Sequence, residues 1–97
     1  MPVSFDPPTK AILHLAHEFK ELEQRAIMVY EPIVHAIVAS RSTDVRQIEQ
    51  TLDGLLDFAG SDDGLRLFHS LCRYFWLIDQ AATASYIQSY RNLWDND

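Results

Sequence analysis

The chain has 97 residues, 47% of them hydrophobic, with only three glycines and four prolines, and this composition predicts one globular domain spanning 1–97. A net charge of −6 with only eight Lys and Arg residues, scattered along the chain, argues against binding to nucleic acid or to an anionic membrane surface. The single cysteine excludes an intrachain disulfide and favours a reducing, cytoplasmic setting, and neither a signal-peptide pattern nor a membrane-spanning run is visible.

Residues 1–7 are predicted to form a short extended arm before the first helix. That helix is expected to start at Asp6-Pro7-Pro8-Thr9, because proline suits the first helical turn and Asp or Thr can cap its free N–H groups. Apolar residues then recur at alternating spacings of three and four, which is the rhythm of a helix with one buried face. This set, here called the heptad seam, consists of Ile12, Leu15, Phe19, Leu22, Ala26, Val29 and Ile33.

Pro32 falls inside this helix, where it removes one backbone hydrogen bond and crowds the preceding turn. Because the seam keeps its phase past Pro32, we predict a kink, or a brief break near Tyr30–Glu31, and not a loop. A straight helix over residues 8–40 would be about 50 Å long, whereas a small domain is about 30 Å across. The helix is therefore expected to bend at Pro32, or to project its far half, Ala26–Ala39, into a partner.

Three more helices are predicted. Ser40–Asp44 is a linker, in which Asp44 and Gln47 form a pair resembling a capping box. The second helix follows it and ends at Gly60. Its predicted buried residues are Val45, Ile48, Leu52, Leu55, Leu56 and Ala59.

Ser61-Asp62-Asp63 is expected to cap the third helix, which contains Leu65–Ile78, the most apolar stretch of the chain. Its apolar arc is roughly 200° wide, about twice that of an ordinary surface helix, so it needs cover on more than one side. Asp79 is predicted to cap a last helix, Gln80–Trp94, and 95–97 to form a frayed tail. The predicted fold is an all-α antiparallel bundle of four to five helices.

The first helix also carries the best candidate for metal chemistry. Imidazoles and carboxylates at spacings of three and four can converge on a divalent ion. The ordinary interpretation is a solvated face with pairs such as Glu21–Arg25. Neither the metalloprotease pattern nor the Glu-x-x-His pairing of di-iron bundles is present, and no cofactor is expected. The candidate ligands are His14, His17, Glu18, Glu21 and His35.

Cys72 lies between Phe68 and Phe75 on the apolar arc, which predicts a buried packing role and not a reactive thiol. The row Tyr86, Tyr90 and Trp94 has perfect helical spacing, which is more typical of a core face than of a binding surface.

Excess apolar surface on Ala26–Ala39 and Leu65–Ile78 favours contact with a protein partner, and a second copy of the chain is the expected one. An acidic row on the second helix either faces a basic partner or is simply solvated. The predicted interaction residues are Met28, Tyr30, Val34, Val38, Trp76 and Leu77, with Glu49, Asp53 and Asp57 for the acidic row. The sequence therefore favours a non-enzymatic interaction domain that forms a homodimer. The alternatives are a bundle that binds a metal or small ligand, and an acidic inhibitor that occupies a nucleic-acid-binding surface of another protein.

Overall fold

The computed structural model describes residues 7–95, and the side chains of residues 10–95. This range holds four helices and no strand: α1 (Pro7–Ala39), α2 (Val45–Leu56), α3 (Asp62–Trp76) and α4 (Gln80–Trp94). The predicted all-helical class is confirmed. Pro7 belongs to α1, and the rest of the predicted arm lies outside the described residues, as do the last two residues of the predicted tail. The antiparallel order of neighbouring helices stays a prediction.

The starts of α2, α3 and α4 are set by capping side chains. Asp44 Oδ1 accepts from the Gln47 N–H at 3.2 Å, Ser61 Oγ from Gly64 at 3.0 Å and Asp79 Oδ1 from Ala82 at 3.0 Å. A cap of this kind contributes about 1 kcal/mol to helix stability. The three predicted caps, including the one at Asp79 that no glycine or proline marks, are confirmed.

The end of α2 differs from the prediction. The helix stops at Leu56, and residues 57–60 form turns that include a Phe58 N–H to Leu55 carbonyl hydrogen bond of 3.0 Å. Gly60 lies at the end of this turn segment and not at the end of the helix, close to the indole of Trp94.

The core is built around α3, which packs against α1, α2 and α4. Its wide apolar arc is therefore covered on several sides within one chain, as its width required. Around it lie four buried residues of α2, three of α1 and Thr83 of α4. The buried residues of α3 are Gly64, Leu67, Phe68, Leu71, Cys72 and Phe75; those of α1 and α2 are Ile27, Val34, Ile37, Ile48, Thr51, Leu52 and Leu55.

The two halves of α1 have opposite environments. The helix runs through Pro32 without the predicted break near Tyr30–Glu31, and a bend there stays a prediction. Its C-terminal half packs into the core through Ile27, Val34 and Ile37. In residues 10–25 every side chain but Glu23 is exposed, and the molecule is 60 Å long but only 29 by 18 Å across. Residues 10–25 therefore project. The far half, Ala26–Ala39, which was expected to project into a partner if the helix did not bend at Pro32, instead packs one face on α2 and α3.

Gly64 is required where the turn before α3 approaches the helix. A Cβ at this position would overlap the carbonyl oxygen of Phe58 and would lie 2.9 Å from Ser61 Oγ. We expect Gly64→Ala to lower the free energy of unfolding by about 2 kcal/mol, because backbone must move and the Ser61 cap is disturbed. Urea unfolding at fixed protein concentration measures this.

Gly54→Ala is the matched control for Gly64→Ala. There the added Cβ meets the hydroxyl and adjoining ring carbons of the half-buried Tyr30 side chain but no backbone. Alanine is better than glycine inside a helix by about 1 kcal/mol, which offsets part of the cost of shifting that ring. We expect the stability of Gly54→Ala to stay within about 1 kcal/mol of the unmodified chain for these reasons. Equal losses in the two variants would contradict the role assigned to Gly64.

Candidate functional site

The heptad seam lies largely on the surface. Ile12, Leu15, Phe19 and Leu22 are each more than half exposed, and so is Val29 next to the packed half of α1. Only Ala26 and Ile33 are half-buried, at the edge of the core. The seam therefore offers a continuous apolar strip that is about 26 Å long between Ile12 and Val29 at the rise of an α-helix.

Few interactions within the chain stabilise the projecting half of α1, residues 10–25. It is rich in good helix formers such as Ala, Leu, Glu and Lys, but an isolated helix of this length is marginal in water. Two local pairs, His14 Nε2–Glu18 Oε1 at 3.0 Å and His17 Nε2–Glu21 Oε1 at 3.1 Å, add a few tenths of a kcal/mol each. Contiguous exposed apolar surface of this kind makes the seam a candidate binding site.

The candidate metal ligands do not form a cluster. His14–Glu18 and His17–Glu21 are two separate exposed pairs, and Glu21 contacts His17 instead of the predicted Arg25. His35 lies about 20 Å along the axis from Glu21 at 1.5 Å per residue. Within residues 7–95, no group of three or more His, Cys, Asp or Glu side chains is placed to hold a metal ion.

The six apolar residues predicted for interaction do not share one surface. Val34 is buried, and Tyr30 is half-buried with its ring 6.4 Å from that of Phe58. Both belong to the core of a single chain. Val38 and Leu77 line one shallow groove, whereas Trp76 and Met28 line two others.

The acidic row of α2 keeps two of its three carboxylates exposed. The Tyr86 hydroxyl of α4 donates its proton to the backbone carbonyl of Glu49 at 3.2 Å and not to a carboxylate. Burial, followed by the nearby Asp53 carboxylate, raises the pKa of Tyr86 above its usual value. Asp53 and Asp57 are both exposed.

A second apolar feature is a groove of about 620 Å³ between α3 and α4. Phe68 and Tyr90 stack at its base with ring centroids 5.8 Å apart, and Trp94 Nε1 donates to the Leu56 carbonyl at 2.8 Å. Burial raises the pKa of the Cys72 thiol to about 12. The burial predicted for Cys72 is confirmed, and of the aromatic row Tyr86 and Tyr90 pack against the core, whereas Trp94 is 45% exposed. Arg66, His69 and Arg91 add basic side chains to the groove lining.

No protein-family model, curated protein or solved structure matches this chain. None of the described helices combines the length and apolar character needed to cross a membrane. Among the exposed surfaces of residues 10–95, the heptad seam is an apolar strip that extends over about 26 Å of helix.

Proposed function

We propose that this chain is a small non-enzymatic protein-interaction domain of adaptor or regulatory type, which forms a homodimer through the heptad seam of α1. The observation that supports this most directly is the exposure of Ile12, Leu15, Phe19 and Leu22 on a helix that has no cover along residues 10–25. A second copy supplies a surface of the same length and apolar character.

The magnitudes allow stable association. Full burial of a Leu, Ile or Phe side chain contributes about 1.5–3 kcal/mol. Four such residues from each of two chains, each about 60% exposed in a single chain, contribute about 7–14 kcal/mol against an association cost of about 4–15 kcal/mol. A dissociation constant in the micromolar range therefore requires an association cost near the lower end of that range. Cover by the partner also stabilises the projecting helix, which on its own is marginal.

The two other functions considered from the sequence gain less support. A metal site through the His and Glu face of α1 needs ligands that converge, and His14, Glu21 and His35 are spread along the helix. An acidic inhibitor needs an extended acidic surface, and the exposed carboxylates of the row on α2 are only Asp53 and Asp57. A reducing, cytoplasmic setting is part of the proposal because the single thiol is free and buried.

Sedimentation equilibrium tests the proposal on the full chain. We expect a mass of twice 11.2 kDa in the micromolar range, falling toward the monomer mass only on dilution. A monomer at high micromolar concentration would overturn the proposed function, because the seam would then remain exposed at every relevant concentration.

A further inference from the structure

We infer that the two copies of α1 pair antiparallel, related by a two-fold axis that passes between residues 20 and 21. This inference rests on the proposed self-association and adds its orientation and register. Three features of the seam point to it: the order of large and small side chains, the charges that flank the seam, and the part of the seam that remains accessible next to the core.

The order of side chains fits an antiparallel pair. The spacing of three and four puts Ile12, Phe19 and Ala26 at a positions and Leu15, Leu22 and Val29 at d positions of the heptad. With the two-fold axis there, each residue at an a position faces a residue at a d position of the second copy. Phe19 then packs on Leu22, Ala26 on Leu15, and Ile12 on Val29.

A parallel pair in register would fill space less evenly. It would place two Phe19 side chains in one layer and two Ala26 side chains two layers further along, which crowds the first of these layers and leaves a gap in the second. Both faults are costly in close-packed interiors. The antiparallel register removes both, because no layer then holds two alanines or two phenylalanines.

The charged side chains that flank the seam also favour the antiparallel pair. Glu18 and Arg25 occupy g positions, on the same side of the seam, and Glu23 occupies an e position. In the antiparallel register Glu18 of each copy faces Arg25 of the other, which makes two ion pairs. In a parallel pair each Glu18 faces Glu23 of the second copy, which is repulsive. Within the described residues Arg25 has no ion pair, so its guanidinium is available.

The core leaves this register accessible. Ile27 is the first buried residue of α1, and Val29 next to it is 59% exposed. In this register Ile12 of the second copy packs on Val29. Ala11 and Ala16 flank the seam of the second copy there, and their small side chains allow close approach to the core. The overlap then extends from Ile12 to Val29 on both chains.

Charge reversal on the full chain tests the orientation. At low ionic strength, where exposed ion pairs are least screened, we expect Glu18→Arg and Arg25→Glu each to raise the dimer dissociation constant by about tenfold, since two attractions become two repulsions. The double variant, and an equimolar mixture of the two single variants, should restore the affinity of the unmodified chain. Sedimentation equilibrium measures all four.

Glu21→Arg is the matched control, because it makes the same change of charge and breaks the same kind of pair with a histidine four residues earlier. Glu21 lies on the outer face of the helix, so the dissociation constant should change by no more than about twofold, as for other exposed charges.

The remaining outcomes each overturn the inferred register. Tighter dimers for Glu18→Arg would indicate a parallel pair. Weaker dimers for Glu18→Arg together with tighter dimers for Arg25→Glu would indicate docking of α1 into the groove between α3 and α4, which Arg66 and Arg91 line. No change in either variant would place these charges away from the interface. All three leave dimerisation intact, whereas a monomeric unmodified chain would overturn the proposed function itself.

Discussion

Phe19→Glu is expected to convert the dimer into a monomer. Phe19 is 59% exposed in a single chain and lies at the middle of the heptad seam, so the substitution removes two aromatic anchors and brings two carboxylates into an apolar interface. Loss of the aromatic burial and the cost of desolvating the charges together exceed about 3 kcal/mol, which raises the dissociation constant by at least about 100-fold. Sedimentation equilibrium measures the constant.

Leu13→Glu is the control for this substitution. Leu13 is also an apolar residue of the projecting half and is 54% exposed, but it lies off the seam. The same change to glutamate should leave the dissociation constant within about twofold of the original, as for a surface position outside an interface. A dimer that survives Phe19→Glu, or that Leu13→Glu weakens equally, would show that the seam is not the contact.

Circular dichroism gives an independent readout of the same event. Separated chains expose residues 10–25 as an uncovered helix, and such a helix is marginal in water. Helical ellipticity at 222 nm should therefore fall for Phe19→Glu, but not for Leu13→Glu. The two measurements together distinguish loss of the dimer from loss of the whole fold.

The helix starts could be predicted from the sequence because their causes are local. Asp44, Ser61 and Asp79 each cap an N–H group three residues later, and that geometry needs no information from the rest of the chain. The central place of α3 was also predictable, since an apolar arc of roughly 200° cannot be covered by one neighbour.

The apolar pattern alone could not predict which half of α1 projects from the core. A helical wheel identifies an apolar face but not whether a neighbour covers it, so Phe19 and Ile27 look alike in sequence. The available signal was length. The other helices have 12 and 15 residues, or at most about 22 Å at 1.5 Å per residue, and α1 is about 50 Å long. About half of α1 must therefore lack cover from its own chain.

The interaction residues were harder to predict for the same reason. Val34 and Val38 lie one turn apart in an apolar stretch, yet Val34 is buried under α3 and Val38 lines a surface groove. Only the packing of α1 on the core separates them. Similarly, Glu21 was expected to pair with Arg25, but it contacts His17, and this leaves Arg25 available for a contact between chains.

Phe75→Ala is expected to have the largest effect on stability. Phe75 is 0% exposed and is the largest of the fully buried side chains. Removing its ring forfeits apolar burial and leaves a cavity, which costs about 3–5 kcal/mol. The total stability of a domain this size is about 5–15 kcal/mol, so the melting temperature should fall by more than about 10 °C. Calorimetry or urea unfolding at fixed protein concentration measures the loss.

Trp76→Ala, one residue later, is the control for Phe75→Ala. Trp76 has a larger ring, but it is 44% exposed and lines a shallow groove, so its loss should cost only about 1–2 kcal/mol. A comparable loss in both variants would contradict the packing of α3 and would place Trp76 in a buried contact that one chain does not provide. Because the dimer contact proposed on α1 does not include Trp76, such a result would move the interface to α3.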